Sequence, residues 1–207
     1  MAMGAKKQTR SNRHRLQIAA EAARIIATEG QPNYLLAKQK AAERLGASTR
    51  KGLPSNSEVE QELKAWQQVY GGIAHEDQLQ QLRAGAAAAM RFLKPFRPRL
   101  VGPVLEGTAD QHSRISLHVF SEDPDAVVRF LMEHRVPFSQ ERRRIRWHDR
   151  EYRQIDVLVV EDGAQTVELV LMVGRDAVQA PPCPIDGRPQ KRMALDEVEA
   201  LVSQASS

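Results

Sequence analysis

Between Leu100 and Phe120 the chain reads LVGPVLEGTADQHSRISLHVF, and several residues there are of types that bind anions. Gly102 and Gly107 let a main chain turn tightly and approach a phosphate closely, because no Cβ stands in the way. Ser113 and Arg114 follow as hydroxyl and guanidinium donors. From there the pattern alternates, so Arg114, Ser116 and His118 share one face of a strand while Ile115, Leu117 and Val119 share the other. That polar row reads either as an anion-binding row with a titratable end or as the solvent side of a half-buried strand. Glu168, in the run Thr166–Val173, faces opposite to Val167 and Leu169 and is the candidate carboxylate partner. A second candidate is the densest basic run, Arg142, Arg143, Arg144 and Arg146, next to Trp147 and Tyr152. Arginines interleaved with aromatics grip phosphates and stack on bases. Alternatively, such a run guards a sheet edge against pairing with other chains.

A strand ending in glycine, a polar loop, an alternating strand, a helix and further strands is the order found over residues 96–173. The stretch resembles the polymerase-β-like nucleotidyltransferase fold. In that family a strand ends in Gly-Gly or Gly-Ser, the next carries Asp-x-Asp, and a later strand adds a third carboxylate. The resemblance implies a triphosphate at the turn near Gly102 and two divalent ions held by the carboxylates. Two aspartates at i and i+2 point the same way and can share such ions, which neutralise phosphate and polarise a hydroxyl. Here the position after Gly102 is Pro103, which has no N–H to offer. The Asp-x-Asp positions read Arg114-Ile115-Ser116, and only Glu168 is left to stand for the third carboxylate. The resemblance therefore implies a catalytically degenerate member that binds a nucleotide, polyphosphate or nucleic acid. Arg114 would then supply charge that magnesium usually supplies. Magnesium enters only if transfer activity is retained, no metal ligand set is assigned, and no catalytic residue is named.

These residues need elements to hold them. Helical spacing places Leu16, Ala19, Ala20, Ala23, Ile26 and Ala27 on one face of a helix over 12–29, with Gly30 as its stop. A second helix runs 34–45. A third starts from a Ser57/Glu60 capping box and ends at Gly71-Gly72. A fourth runs 75–93, with Leu79, Leu82, Ala86, Ala89, Met90 and Leu93 inward and Pro95 as its stop. The period then changes. Strands are expected over 100–105, 115–120, 142–147, 152–160 and 166–173, with a hairpin at Glu161-Asp162-Gly163. A helix is expected over 123–134 and another near 195–202. The fold class is α+β: a helical region over 1–95 and a small mixed-sheet, nucleotidyltransferase-like domain over 96–207.

Charge divides along the same line. Residues 1–95 carry 15 Lys/Arg against 8 Asp/Glu, while 96–207 carry 15 against 18, so the net +4 joins a basic half to an acidic one. The basic half keeps open a DNA- or RNA-binding regulatory role. Residues 15–48 superficially resemble the start of a TetR-like domain, but Thr49–Pro54 brings two helix breakers where a recognition helix belongs. A protein-interaction module without ligand is the third reading. One cysteine, Cys183, excludes an internal disulfide and a cysteine zinc site. No run reaches the ~18 apolar residues of a membrane span, and the polar N-terminus lacks a signal core. The expectation is a soluble cytoplasmic protein without a membrane partner; its oligomeric state is left open.

Overall fold

In a computed structural model of the chain, residues 2–47, 52–110, 112–123, 125–163 and 165–204 are described. Two compact units are formed. One comprises Met1–Glu76, Asp110–His112 and Pro184–Asp186; the other comprises Asp77–Ala109, Ser113–Cys183 and Gly187–Ser207. The division thus falls at Glu76/Asp77, inside a helix, whereas the composition and the hydrophobic period change near Pro95.

The first unit is built on α1 (Ala2–Glu29), α2 (Tyr34–Arg44) and α3 (Asn56–Trp66). Its core joins Ile18, Ala22, Ala23, Ile25 and Ile26 of α1 to Ala37, Ala41 and Ala42 of α2 and Val59 and Leu63 of α3. The expected inward face of α1 is therefore rotated: Leu16 is half exposed and Ile18 and Ile25 are buried. Helix α2 starts at Asn33, whose side chain accepts from the N–H groups of Leu35 and Leu36. The capping box of α3 is Ser55/Glu58 rather than Ser57/Glu60. Both pairs have the same spacing, but the Ser57 hydroxyl donates to the Ile185 carbonyl instead. After α3, a π-helical turn at Gln67–Gly71 leads into α4 (Gly72–Phe92), which starts earlier than His75. Ser48, Thr49, Arg50 and Lys51 lie outside the described residues; Gly52–Pro54 carry no helix.

The second unit holds a five-stranded mixed sheet, which makes the architecture α+β. Its strands are β1 (Arg99–Val101), β2 (Ile115–Ser121), β3 (Ser139–Arg146), β4 (Tyr152–Asp162) and β5 (Gln165–Val173). The order is β1-β2-β5-β4-β3, with β2 and β5 parallel and the other neighbours antiparallel. The strand expected over 100–105 is cut short. Gly102 takes a left-handed φ of +76°, and Pro103 opens a single helical turn, α5 (Pro103–Glu106). Proline's missing N–H costs nothing at a first helical position.

Both faces of the sheet are covered around β2 and β5, while Arg142, Arg144 and Arg146 at the β3 edge stay exposed. On one, Leu79, Leu82, Ala86 and Met90 of α4 pack with Val127 and Leu131 of α6 (Ala126–Glu133) and Val198 of α8 (Leu195–Gln204). They meet Ile115, Leu117, Val119, Leu158, Val167, Leu169 and Leu171. Each fully buried leucine contributes about 1.5–3 kcal/mol. Helix α4 comes close to the sheet at Gly85, where a Cβ would run into the side chain of Gln165 and sit 3.2 Å from Ile115. On the other face, Ile155, Val157, Val159, Val170 and Met172 form a second cluster with Trp147. The four-residue helix α7 (Arg175–Val178) contributes Ala177 to it.

Candidate functional site

The parallel register of β2 and β5 sets Ser116 beside Glu168. Side chains directly opposite each other share a face, so the two point to the side away from α4. Ser116 donates to Glu168 Oε2 at 3.3 Å, and Arg114 Nη1 donates to Oε1 at 2.8 Å. A third group completes the site. Arg143 of β3 grips Glu168 with both arms, Nη1 to Oε2 at 2.9 Å and Nη2 to Oε1, and Nη2 also reaches Glu141 at 3.0 Å. Arg114 lies 3.5 Å from Glu141. Thus two guanidiniums and two carboxylates meet on one patch of sheet.

Glu168 is only 6% exposed. Burial pushes its pKa up, but the guanidiniums of Arg143 and Arg114 outweigh it and hold the carboxyl below its ordinary value. The charge of Glu168 is already met by the two-armed fork of Arg143, the strongest geometry for such a pair. Arg114 is the outer arm, with its side chain 45% exposed and its pairs to Glu168 and Glu141 both made through Nη1. Gly102 lies alongside, since a Cβ there would sit 3.9 Å from the Ser116 Cβ. Gly107 closes α5 with φ +79°. Ser113 is half-buried just before β2.

The residues do not fit the divalent ions that the resemblance would call for. Among the described residues no three of His, Cys, Asp and Glu are grouped to hold a metal. The carboxylate at the centre of the site is enclosed by arginines, which repel a cation.

His118 belongs to a different cluster. It is 1% exposed, so the row Arg114, Ser116, His118 runs from surface to interior and is not the solvent side of a half-buried strand. Its Nδ1 accepts from Arg192 Nε at 3.0 Å, and Arg192 also donates to the Ala177 carbonyl and lies over the Phe120 ring. Burial, then the Arg192 charge, depress the pKa of His118 to about 3, with a hydrogen bond to Gln190 opposing them. The imidazole is therefore neutral and acts as an acceptor. Arg192 Nη2 is buried without an acceptor among the described residues.

The arginine run is split by the strand that carries it. Arg143 turns to Glu168, while Arg142, Arg144 and Arg146 are exposed on the opposite face of β3. Arg142 pairs with Asp156 at 2.9 Å, and Arg144 lies 3.9 Å from the centre of the Tyr152 ring. Of the residues expected to form one phosphate site, the structure joins Gly102, Arg114, Ser116 and Glu168, adds Arg143, and separates His118. Glu141, a flank of the arginine run, and Arg192 were not among the expected site residues. The period-two alternation around Arg143 pointed to Glu141; nothing in the sequence pointed to Arg192, 74 positions from His118. No protein-family model, curated protein or solved structure matches the chain. No helix of the described residues is long and apolar enough to cross a membrane.

Proposed function

We propose that the chain is a catalytically silent, nucleotidyltransferase-like protein that binds a nucleotide or polyphosphate without a metal ion. The observation that carries this reading is the pair of guanidiniums, Arg114 and Arg143, seated on Glu168 where such a fold would need a cluster of carboxylates. Arg143 and Arg114 both pair with Glu168, and Arg114, which also lies 3.5 Å from Glu141, is the more exposed of the two guanidiniums and the one beside the Gly102 turn. A phosphate oxygen there gains charge-assisted hydrogen bonds from a planar donor. Among the described residues magnesium has no ligand set to occupy, so it is expected to add nothing to affinity beyond shielding the free nucleotide.

Calorimetry with ATP, GTP and CTP, with and without magnesium, tests this. The expected result is binding that does not require magnesium and weakens at least tenfold in Arg114→Ala, as loss of a charged hydrogen bond costs roughly 1.5–3 kcal/mol. Absence of binding by all three nucleotides under both conditions overturns it. So does binding that appears only with magnesium.

A further inference from the structure

The open face of the β3–β4 hairpin carries an arrangement that the Glu168 site does not use. Successive same-face positions on a strand lie ~6.8 Å apart, and on β3 these positions are Arg142, Arg144 and Arg146, all exposed. Across the ladder they face Asp156, Gln154 and Tyr152. Tyr152 is 57% exposed and stacks against the Arg144 guanidinium. Asp156 is the single acid in this six-residue patch and engages Arg142, so Arg144 and Arg146 remain in charge excess. Strand β3 is the last of the sheet, so no further strand crowds the row.

We infer that this face is a docking surface for single-stranded nucleic acid, with Arg144 and Arg146 on consecutive phosphates, Arg142 held at its end by Asp156, and the Arg144–Tyr152 stack against a base. The charge selects a polyanion, and the exposed ring selects one whose bases are free to stack. Unpaired bases stack on aromatic rings and on guanidinium planes alike. A duplex keeps its bases inside, and a polyglutamate chain carries no aromatic ring to stack. The surface is independent of the nucleotide site, since Arg143 is the one arginine of the run that points away from it.

Fluorescence anisotropy of the full chain with labelled oligouridylate and oligodeoxythymidylate tests the inference. Binding should fall with salt at a log–log slope of about −1.4, because the two arginines in charge excess each neutralise a phosphate that contributes about −0.7 on a single strand. Arg144→Ala/Arg146→Ala should weaken binding at least tenfold and bring the slope close to zero. Tyr152→Ala should weaken it roughly tenfold with the slope unchanged. The control Arg91→Gln/Lys191→Gln removes the same charge from other elements and should leave affinity within twofold. Circular dichroism confirms that each variant is folded, and Arg144→Glu, on an exposed position, gives a second reading of the same contact. Several outcomes overturn the inference: no binding at low salt, equal loss in the control, tighter binding of a duplex, or equal competition by polyglutamate. If the row only guards the sheet edge, Arg144→Ala/Arg146→Ala self-associates while oligonucleotide binding is unaltered, and that also overturns it.

Discussion

Position 114 decides what the Glu168 patch can do. A carboxylate there and at 116 would converge with Glu168, since Arg114 and Ser116 already touch it at 2.8 and 3.3 Å. The arginine instead balances the carboxylates, setting two guanidiniums against Glu141 and Glu168. Arg114→Asp/Ser116→Asp, with Arg143→Ala added to release Glu168, is expected to create a site for Mn2+ that the parent chain lacks. Calorimetric titration with Mn2+ reads this directly. If the folded variant takes up no more Mn2+ than the parent, then 114, 116 and 168 are not equivalent to a metal-binding trio and the family resemblance loses its ground. The individual residues of this site were legible in the sequence because glycine, serine, arginine and glutamate stood at interpretable spacing. That Arg143 would join them was not, because the run Arg142–Arg146 gave no sign of which member would face β5.

At the scale of elements, short-range rules worked where one partner was enough. The buried face of α4 holds Leu79, Leu82, Ala86 and Met90, as its period indicates, with Ala89 only partly buried and Leu93 buried just past the helix end. Alternation likewise assigns β2 and β5 their two faces. The rules failed where two local solutions were equivalent. Between Leu16 and Ala27 the apolar residues of α1 form an arc wider than its buried stripe, broken only by Gln17, Glu21 and Arg24, so where α2 and α3 dock decides which part of the arc is buried. Ser55 and Ser57 each have a glutamate three residues on, and only the contact of Ser57 with Ile185 decides between them. Accordingly, Ser55→Ala should destabilise the helical unit by about 1 kcal/mol through the lost cap, and Ser57→Ala by less. Chemical denaturation of the two variants checks this; a larger cost at Ser57 would put the cap at the second pair. Strand β1 ended early for a related reason. Leu100–Leu105 has strand-like composition, but Gly102 adopts a conformation that breaks the ladder before Pro103.

At the scale of the molecule, acid stability should bear the mark of His118. Its folded-state pKa of about 3 lies below the ordinary 6.5. The unfolded chain therefore binds a proton that the native state refuses. That contribution is complete above pH ~6.5 and is lost as pH falls toward ~3, at about 1.4 kcal/mol per unit. Glu168, held below its ordinary value, adds a second loss only at lower pH, once carboxylates begin to protonate. Urea unfolding between about pH 7 and 5 separates the two. The parent should weaken across this window and His118→Asn should not; a parent midpoint that stays constant would show that the imidazole can accept its proton in the fold.

The sequence by itself determined the α+β class, the change from helical to alternating period, and the absence of an Asp-x-Asp pair between Arg114 and Ser116. These are local properties, set by spacing and side-chain type. Only the tertiary structure decided that Arg143 closes on Glu168, that Arg192 holds a buried His118, and that the remaining arginines form one exposed row. Charge pairing depends on which strands become neighbours. In a sheet ordered β1-β2-β5-β4-β3, partners distant in sequence meet through long-range register, which no local pattern encodes.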